Sequence, residues 1–428
     1  MSYRIARMDK VWIILLLLLP VCAAPPESYV PALKSTLNDN ILNFWLTRSI
    51  DKVHGGYKIR IGPNGEDQGD GPKALITQAR NVWLYARAAR AGYGDRKQLL
   101  AAADHGYKFL ITKMWNPEHG GFAWSVDATG NTKIQPKIHM YAQSFALYAI
   151  SEYAMASGRK DVLAFAVKYF DLLELKAHDK LHGGYIEFFN EDWSPGDGPN
   201  YMSAPSSYKL MNTHLHLMEA MTTFYRASKL PLARTRLIEL MSIESNAVVR
   251  KSITACTDQY TRDWRPVLDG PAARVSYGHD LENIWLLADA ADAAGLPISP
   301  YLDLFRENFN YAMKYGWDEI NGGFWYNGWF NQPANGRTKS WWVQSEVLVS
   351  ALTMYKLTRD PLYLDVFEKT WQFIDKHQID RKTGEWWETV GPDLRPSGNK
   401  AHAWKAGYHN GRAMIEAVSI IESLGVPK

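Results

Sequence analysis

Cysteine is nearly absent: two in 428 residues, Cys22 and Cys256. That excludes a disulfide-stapled scaffold. Charge of one sign is scarce too, since 48 Lys plus Arg against 45 Asp plus Glu leave a balance of +3. Nucleic acid demands a far more basic surface. No Gly-rich phosphate or dinucleotide loop follows a strand-like run, and the twelve histidines include no helical His-x-x-x-His with a following carboxylate. Neither a metal nor a nicotinamide cofactor is therefore expected. Long apolar runs are confined to Val11–Pro20, about half the ~20 residues that a membrane-spanning helix needs. Arg4, Arg7 and Lys10 precede that run and Ala23-Ala24 follow it. The pattern predicts a signal peptide over residues 1–24 and an exported, periplasmic or extracellular protein, with an uncleaved anchor as the rival reading. No other segment predicts a membrane span, and a monomer is the simplest expectation.

What is abundant is aromatic: 17 Trp, 23 Tyr and 15 Phe. Such flat amphipathic rings suit a large core or stacking on sugars. The chain also carries a period. His54-Gly55-Gly56-Tyr57 recurs as His119-Gly120-Gly121-Phe122, as His182-Gly183-Gly184-Tyr185 and as Asn321-Gly322-Gly323-Phe324, then degenerates to Thr383-Gly384-Glu385-Trp386. The intervals of 65, 63, 139 and 62 residues imply six units with one copy missing, whose place would fall near Asp258–Trp264.

Each unit reads as a helix, a short Gly-Gly hairpin and a second helix. The second stretches are Lys73–Ala91, Ile138–Ala156, Leu210–Ser228, Ser276–Ala294, Lys339–Leu357 and Ala401–Leu424. They are apolar nearly all round, which marks buried helices. Six such pairs predict an all-α fold, an (α/α)6 barrel with the second helices inside, short hairpins at one mouth and one domain over 25–428. An α-solenoid is the alternative.

Near the starts of these buried helices stand Arg80, Tyr141, Asn212 with His216, His279 with Glu282, Trp342, and Trp404 with His409. Burying charged or polar groups without partners costs several kcal/mol, roughly, so they need a reason. Convergence on one mouth of a barrel supplies it. Asn212, His216 and Glu219 share a helix face, while His214 points away and reads as a core histidine. The histidines of the Gly-Gly turns read as hairpin punctuation.

Met211–Glu219 (MNTHLHLME), Ser276–Glu282 (SYGHDLE), Lys339–Glu346 (KSWWVQSE) and Trp404–Arg412 (WKAGYHNGR) resemble the cellobiose 2-epimerase group of the N-acylglucosamine 2-epimerase superfamily. The resemblance implies an (α/α)6 barrel and inversion at carbon 2 of a reducing-end glucose or mannose. It implies acid/base roles for His279 and His409, with Glu282 orienting His279. His216 and Asn212 would contact the reacting end of the sugar, Arg80 would hold the oxygens that gain charge, and Tyr141 would lie beside it. Trp342 and Trp404 would be stacking platforms, and Glu219 would stay outside the site as a helix-packing partner. N-acylglucosamine 2-epimerisation and mannose-type isomerisation are the near alternatives. A barrel glycosidase or lyase, and a sugar-binding protein without catalysis, are the distant ones.

Overall fold

The computed structural model describes residues 25–198, 200–250 and 252–425. The signal peptide expected over residues 1–24 lies outside them. Among the described residues no helix is long and apolar enough to cross a membrane.

Six long helices form an inner ring: α3 (Leu75–Arg90), α5 (Met140–Ser157), α7 (Met211–Ser228), α9 (Tyr277–Ala294), α11 (Trp341–Thr358) and α13 (Tyr408–Leu424). Each packs on the next, and α13 packs on α3, so the ring closes. Outside it run α4 (Arg96–Phe109), α6 (Lys160–Lys176), α8 (Pro231–Ser242), α10 (Leu302–Gly316) and α12 (Pro361–Phe373). The sixth outer helix has two halves, α1 (Val30–Ser35) and α2 (Asn43–Arg48), joined by a π-helical Thr36–Leu42. This is the (α/α)6 barrel expected from the period. The inner helices are buried round most of their circumference, as their sequences demanded.

Five inner helices begin within about two residues of their expected starts. The sixth starts at Tyr408, seven residues later than expected at Ala401, because residues 401–407 form a loop. Its anchor explains why. Glu385 takes the positive φ (63°) that the second glycine holds in other turns. Its carboxylate receives Trp45 Nε1 at 2.6 Å, Lys405 Nζ at 2.8 Å and Asn410 Nδ2 at 2.8 Å. The degenerate turn thus trades a glycine for a charged tether on the loop that carries Trp404.

Every Gly-Gly turn is closed by a bridge between residues seven apart: Ile50–Tyr57, Trp115–Phe122, His178–Tyr185, Trp317–Phe324 and Ile379–Trp386. The missing copy is Val249–Cys256, paired with the same spacing, and not the Asp258–Trp264 segment. It was hidden because Thr254, at φ 58°, takes a glycine's place and Cys256 an aromatic's.

A side chain at the fourth position of the following inner helix clasps five of the six turns; the sixth is followed by α13, whose fourth residue is Gly411. Gln78 accepts from Tyr57 N and donates to Tyr57 O, both at 2.8 Å. Gln143 and Gln344 do the same for Phe122 and Phe324. A Cβ on Gly56 (φ +65°) would lie 2.5 Å from Gln78 Oε1, so the clasp and the glycine require each other. His214 and Asp280 hold the same position and accept from Tyr185 N at 3.0 Å and Cys256 N at 2.8 Å. Buried lysines lock four of the turns to the strand before the inner helix or to the loop before α13: Lys73–Asp51, Lys209–Asp179, Lys339–Asp318 and Lys400–Asp380, at 2.7–3.0 Å.

Candidate active site

At the end of the barrel where the inner helices start lies a cavity of about 410 Å³. It is lined by Arg80, Tyr141, Asn212, His216, His279, Trp342, Trp404 and His409, with Tyr326, Trp341, Glu388 and His402 among the rest of its wall. Eight of the nine residues expected to form a site therefore share one cavity. Helix register explains how. Tyr141, Asn212, Trp342 and His409 are all second residues of their inner helices, and Arg80, His216, Glu282 and Glu346 are all sixth residues one turn deeper. Trp404 lines the mouth from the loop before α13 and remains 39% exposed.

His279 and His409 both stand close to one indole: their rings lie 4.8 and 5.7 Å from Trp342, centroid to centroid. Trp342 can lie so close to α9 because the second position there is Gly278, where a Cβ would sit 2.4 Å from the indole. Burial, and then the His216 ring, push the His279 imidazole down to about 3. Burial, followed by the Arg80 and Arg412 charges, holds His409 well below the usual imidazole range. Both rings are thus neutral at neutral pH.

Beneath the cavity is a buried layer of charge. Arg412, only 1% exposed, bonds Glu282 at 2.6 Å and Glu346 at 2.8 Å and also grips Glu219. Two of those carboxylates each hold a cavity imidazole by Nδ1: Glu219 holds His216 at 2.9 Å and Glu346 holds His409 at 2.6 Å. Trp285 Nε1 donates to the second oxygen of Glu346 at 2.9 Å, and the Tyr408 hydroxyl donates to Glu219. Burial alone would raise the Glu219 carboxyl, but Arg412 and His216 bring it down to about 2. Burial, and then the Glu346 charge, raise Glu282 to about 7. Glu282, Glu346 and His409 are close enough to share a metal ion, yet the Arg412 guanidinium already bonds both carboxylates.

Two expectations are corrected. Glu282 does not orient His279: it lies below the cavity wall, and its bonded partner is Arg412. One helical turn does separate the two residues, but the guanidinium offers the carboxylate a stronger partner than an imidazole leaning on Trp342. Glu219 is no mere helix-packing partner, since it carries His216. Sequence reasoning also passed over Glu346, Arg412 and Tyr408. The signal for Glu346 was its register, sixth in α11 as His216 is sixth in α7.

Arg80 stands apart from the charge layer. Among the described residues it has no carboxylate partner. Its guanidinium lies 4.4 and 4.8 Å over Phe145 and Tyr408, Nη1 donates to Trp404 O at 2.7 Å, and Nη2 meets the Tyr141 hydroxyl at 3.3 Å. His214 has both ring nitrogens bonded to backbone, Leu210 O and Tyr185 N, and serves the fold as expected. The turn histidines His54, His119 and His182 are absent from the cavity wall.

The model of the N-acylglucosamine 2-epimerase (GlcNAc 2-epimerase) family matches residues 55–413. The chain is 30% identical over 396 residues to a cellobiose 2-epimerase of Bacteroides fragilis, covering 90% of this chain and 97% of that one. It is 25% identical over 398 residues to a D-mannose isomerase of Marinomonas mediterranea, covering 90% and 95%. The structure of cellobiose 2-epimerase from Spirochaeta thermophila superposes with a TM-score of 0.84 at 33% identity, over 94% of this chain and 99% of that one.

Proposed function

Because this chain belongs to the N-acylglucosamine 2-epimerase family and is a carbohydrate epimerase or isomerase, we propose that it inverts carbon 2 of the reducing-end glucose or mannose in a β-1,4-linked disaccharide such as cellobiose. The observation that carries the reading is the pair of imidazoles, His279 and His409, lining one cavity and both close to Trp342. Inversion needs one base on each face of a single carbon, and two imidazoles in one pocket meet that need without a metal or a nicotinamide.

The open-chain sugar binds with its reducing end among His216, Asn212 and Arg80, stacked on Trp342 and Trp404. One histidine removes the C–H proton beside the aldehyde, a task suited to a neutral imidazole. Negative charge then spreads over the oxygens of carbons 1 and 2. Arg80, which has no carboxylate partner among the described residues, stabilises that charge electrostatically. That same charge raises the proton affinity of the second histidine, which takes up a proton from solvent at the mouth of the cavity while the first imidazolium gives its proton back to solvent. After rotation about the carbon 2–carbon 3 bond it protonates the opposite face. Return of the proton to carbon 1 gives the ketose instead, so some isomerisation accompanies epimerisation.

Incubation with cellobiose in deuterated water is expected to yield glucosyl-mannose carrying deuterium at carbon 2. Product without deuterium there, or release of monosaccharide, overturns the reading. Mannobiose, mannose and N-acetylglucosamine run beside it rank the substrates.

A further inference from the structure

The barrel has a second cavity, at the end where the inner helices finish. It measures about 220 Å³, shares no lining residue with the histidine-lined cavity, and reaches Glu219 and Arg412 of the charge layer from the far side. Helix register builds it. Trp83, Glu219 and Glu416 are the ninth residues of α3, α7 and α13, and Arg87, Glu152 and Asp289 are the thirteenth of α3, α5 and α9. At its rim Arg87 pairs with Glu416 at 2.8 Å, Arg90 with Glu152 at 2.5 Å and Arg226 with Asp289 at 2.7 Å, each across neighbouring helices. The negative ends of six helix dipoles converge there, which accounts for the rim arginines.

Those ion pairs explain the rim but not two donors deeper in. Trp83 Nε1 and Arg412 Nε, on side chains of residues 2% and 1% exposed, have no acceptor among the described residues. Both side chains pack on the Tyr408 ring, at 5.4 and 4.3 Å, so they meet over one ring at the seam between α3 and α13. The two terminal nitrogens of Arg412 are already bonded to Glu219, Glu282 and Glu346. A buried N–H with nothing to bond is costly, so this pair calls for an acceptor. Water serves poorly, because its own hydrogens need acceptors in turn. Among the described carboxylates of the wall, Glu152, Glu219 and Asp289 have both oxygens engaged. Glu416, out at the rim beside Arg87, keeps one oxygen unbonded.

We propose that this far cavity binds a small monovalent anion of the chloride or bromide class, held between Trp83 Nε1–H on α3 and Arg412 Nε–H on α13. Such an ion has no hydrogens to satisfy and accepts N–H donors from any direction. Its single charge and weak hydration favour it over phosphate, which would need more than two fixed N–H groups to replace the water it loses. Seated there, the ion staples the two helices whose contact closes the ring. The site lies apart from the cavity in which the sugar reacts, so it stands or falls independently of the function proposed above.

The test uses bromide, which anomalous scattering identifies. Crystals of the full chain grown in sodium bromide are expected to show an anomalous peak in the far cavity, beside Trp83 Nε1 and Arg412 Nε. In solution, thermal unfolding of the parent and of Trp83→Phe is followed against bromide, with ionic strength held constant by sodium gluconate. For the parent, the folded-to-unfolded ratio should rise along a saturating curve, roughly 10-fold at ten times the dissociation constant. Trp83→Phe keeps a ring and removes the donor, and its bromide midpoint should rise at least ~10-fold. Phosphate should act equally on the two proteins, and a phosphate response that depends on Trp83 overturns the class of ion. A far cavity holding water alone, a peak confined to the outer surface or to the other cavity, or identical bromide curves for the two proteins overturns the site. The crystal experiment needs no variant and decides the matter even if Trp83→Phe fails to fold.

Discussion

His214 and His216 stand two residues apart on α7, both buried, and belong to different parts of the molecule. One points to the rim, where five of the six turns are clasped by a side chain and four are locked by a lysine. The other points to the axis, where a single guanidinium gathers three carboxylates. The rim is repetitive and interchangeable: Gln, His and Asp all serve at the same helix position because the task is to satisfy a backbone N–H. The axis has no such freedom, since each group there fixes the charge or tautomer of another. Two histidines with equal burial are thus distinguished by what their nitrogens meet, backbone in one case and an ionised carboxylate in the other.

That contrast can be broken at the rim first. Lys339→Met leaves Asp318 buried without its cation, and chemical denaturation should show a loss of about 3–5 kcal/mol. The kinetic constants of the folded fraction should stay within about threefold of the parent, because the ammonium bonds Asp318 and Gly322 O, neither of which lines the cavity; a large fall in kcat would erase the distinction between rim and axis.

At the axis, the expected signature is dependence on pH. Glu282 titrates at about 7 when folded and near 4.5 when unfolded. The folded chain binds that proton more tightly, so this group's contribution falls as pH rises from 4.5 to 7. Denaturation of Glu282→Gln across that range should lack the fall, a difference from the parent of about 3 kcal/mol. Equal slopes for the two proteins would show that Glu282 is not held protonated.

The smallest effect sharpens the contrast most. His214→Ala removes the clasp on Tyr185 and should cost about 1–3 kcal/mol of stability. His214→Gln restores the group used at Gln78, Gln143 and Gln344, and should cost less than about 1 kcal/mol. Thermal unfolding of the pair checks both.

The barrel was legible in the sequence because its period is written in glycines and its inner helices are apolar all round. The missed fourth turn shows the limit of that signal: Thr254 and Cys256 keep the backbone path while discarding the letters that mark it. The cavity wall was legible from polar residues at helix starts. The charge layer below was not, because Glu219, Glu346 and Arg412 stand where a helix reads equally well as solvated, and only the closure of the ring brings them together across 66 to 193 residues of chain. Trp404 was recognised as a wall residue but placed on a helix, since nothing in the letters 401–407 announced that Lys405 is tied to Glu385.

The packing of α13 on α3, with an ion pair between Arg87 and Glu416, has a consequence for how the molecule comes apart. An open row of hairpins can fray from its two ends, each unit melting with little cost to those beyond its neighbour. A closed circle has no end to fray. Releasing any one hairpin exposes both flanking helices and strands Arg412 among anions that no longer meet it, so melting is expected to be all or nothing.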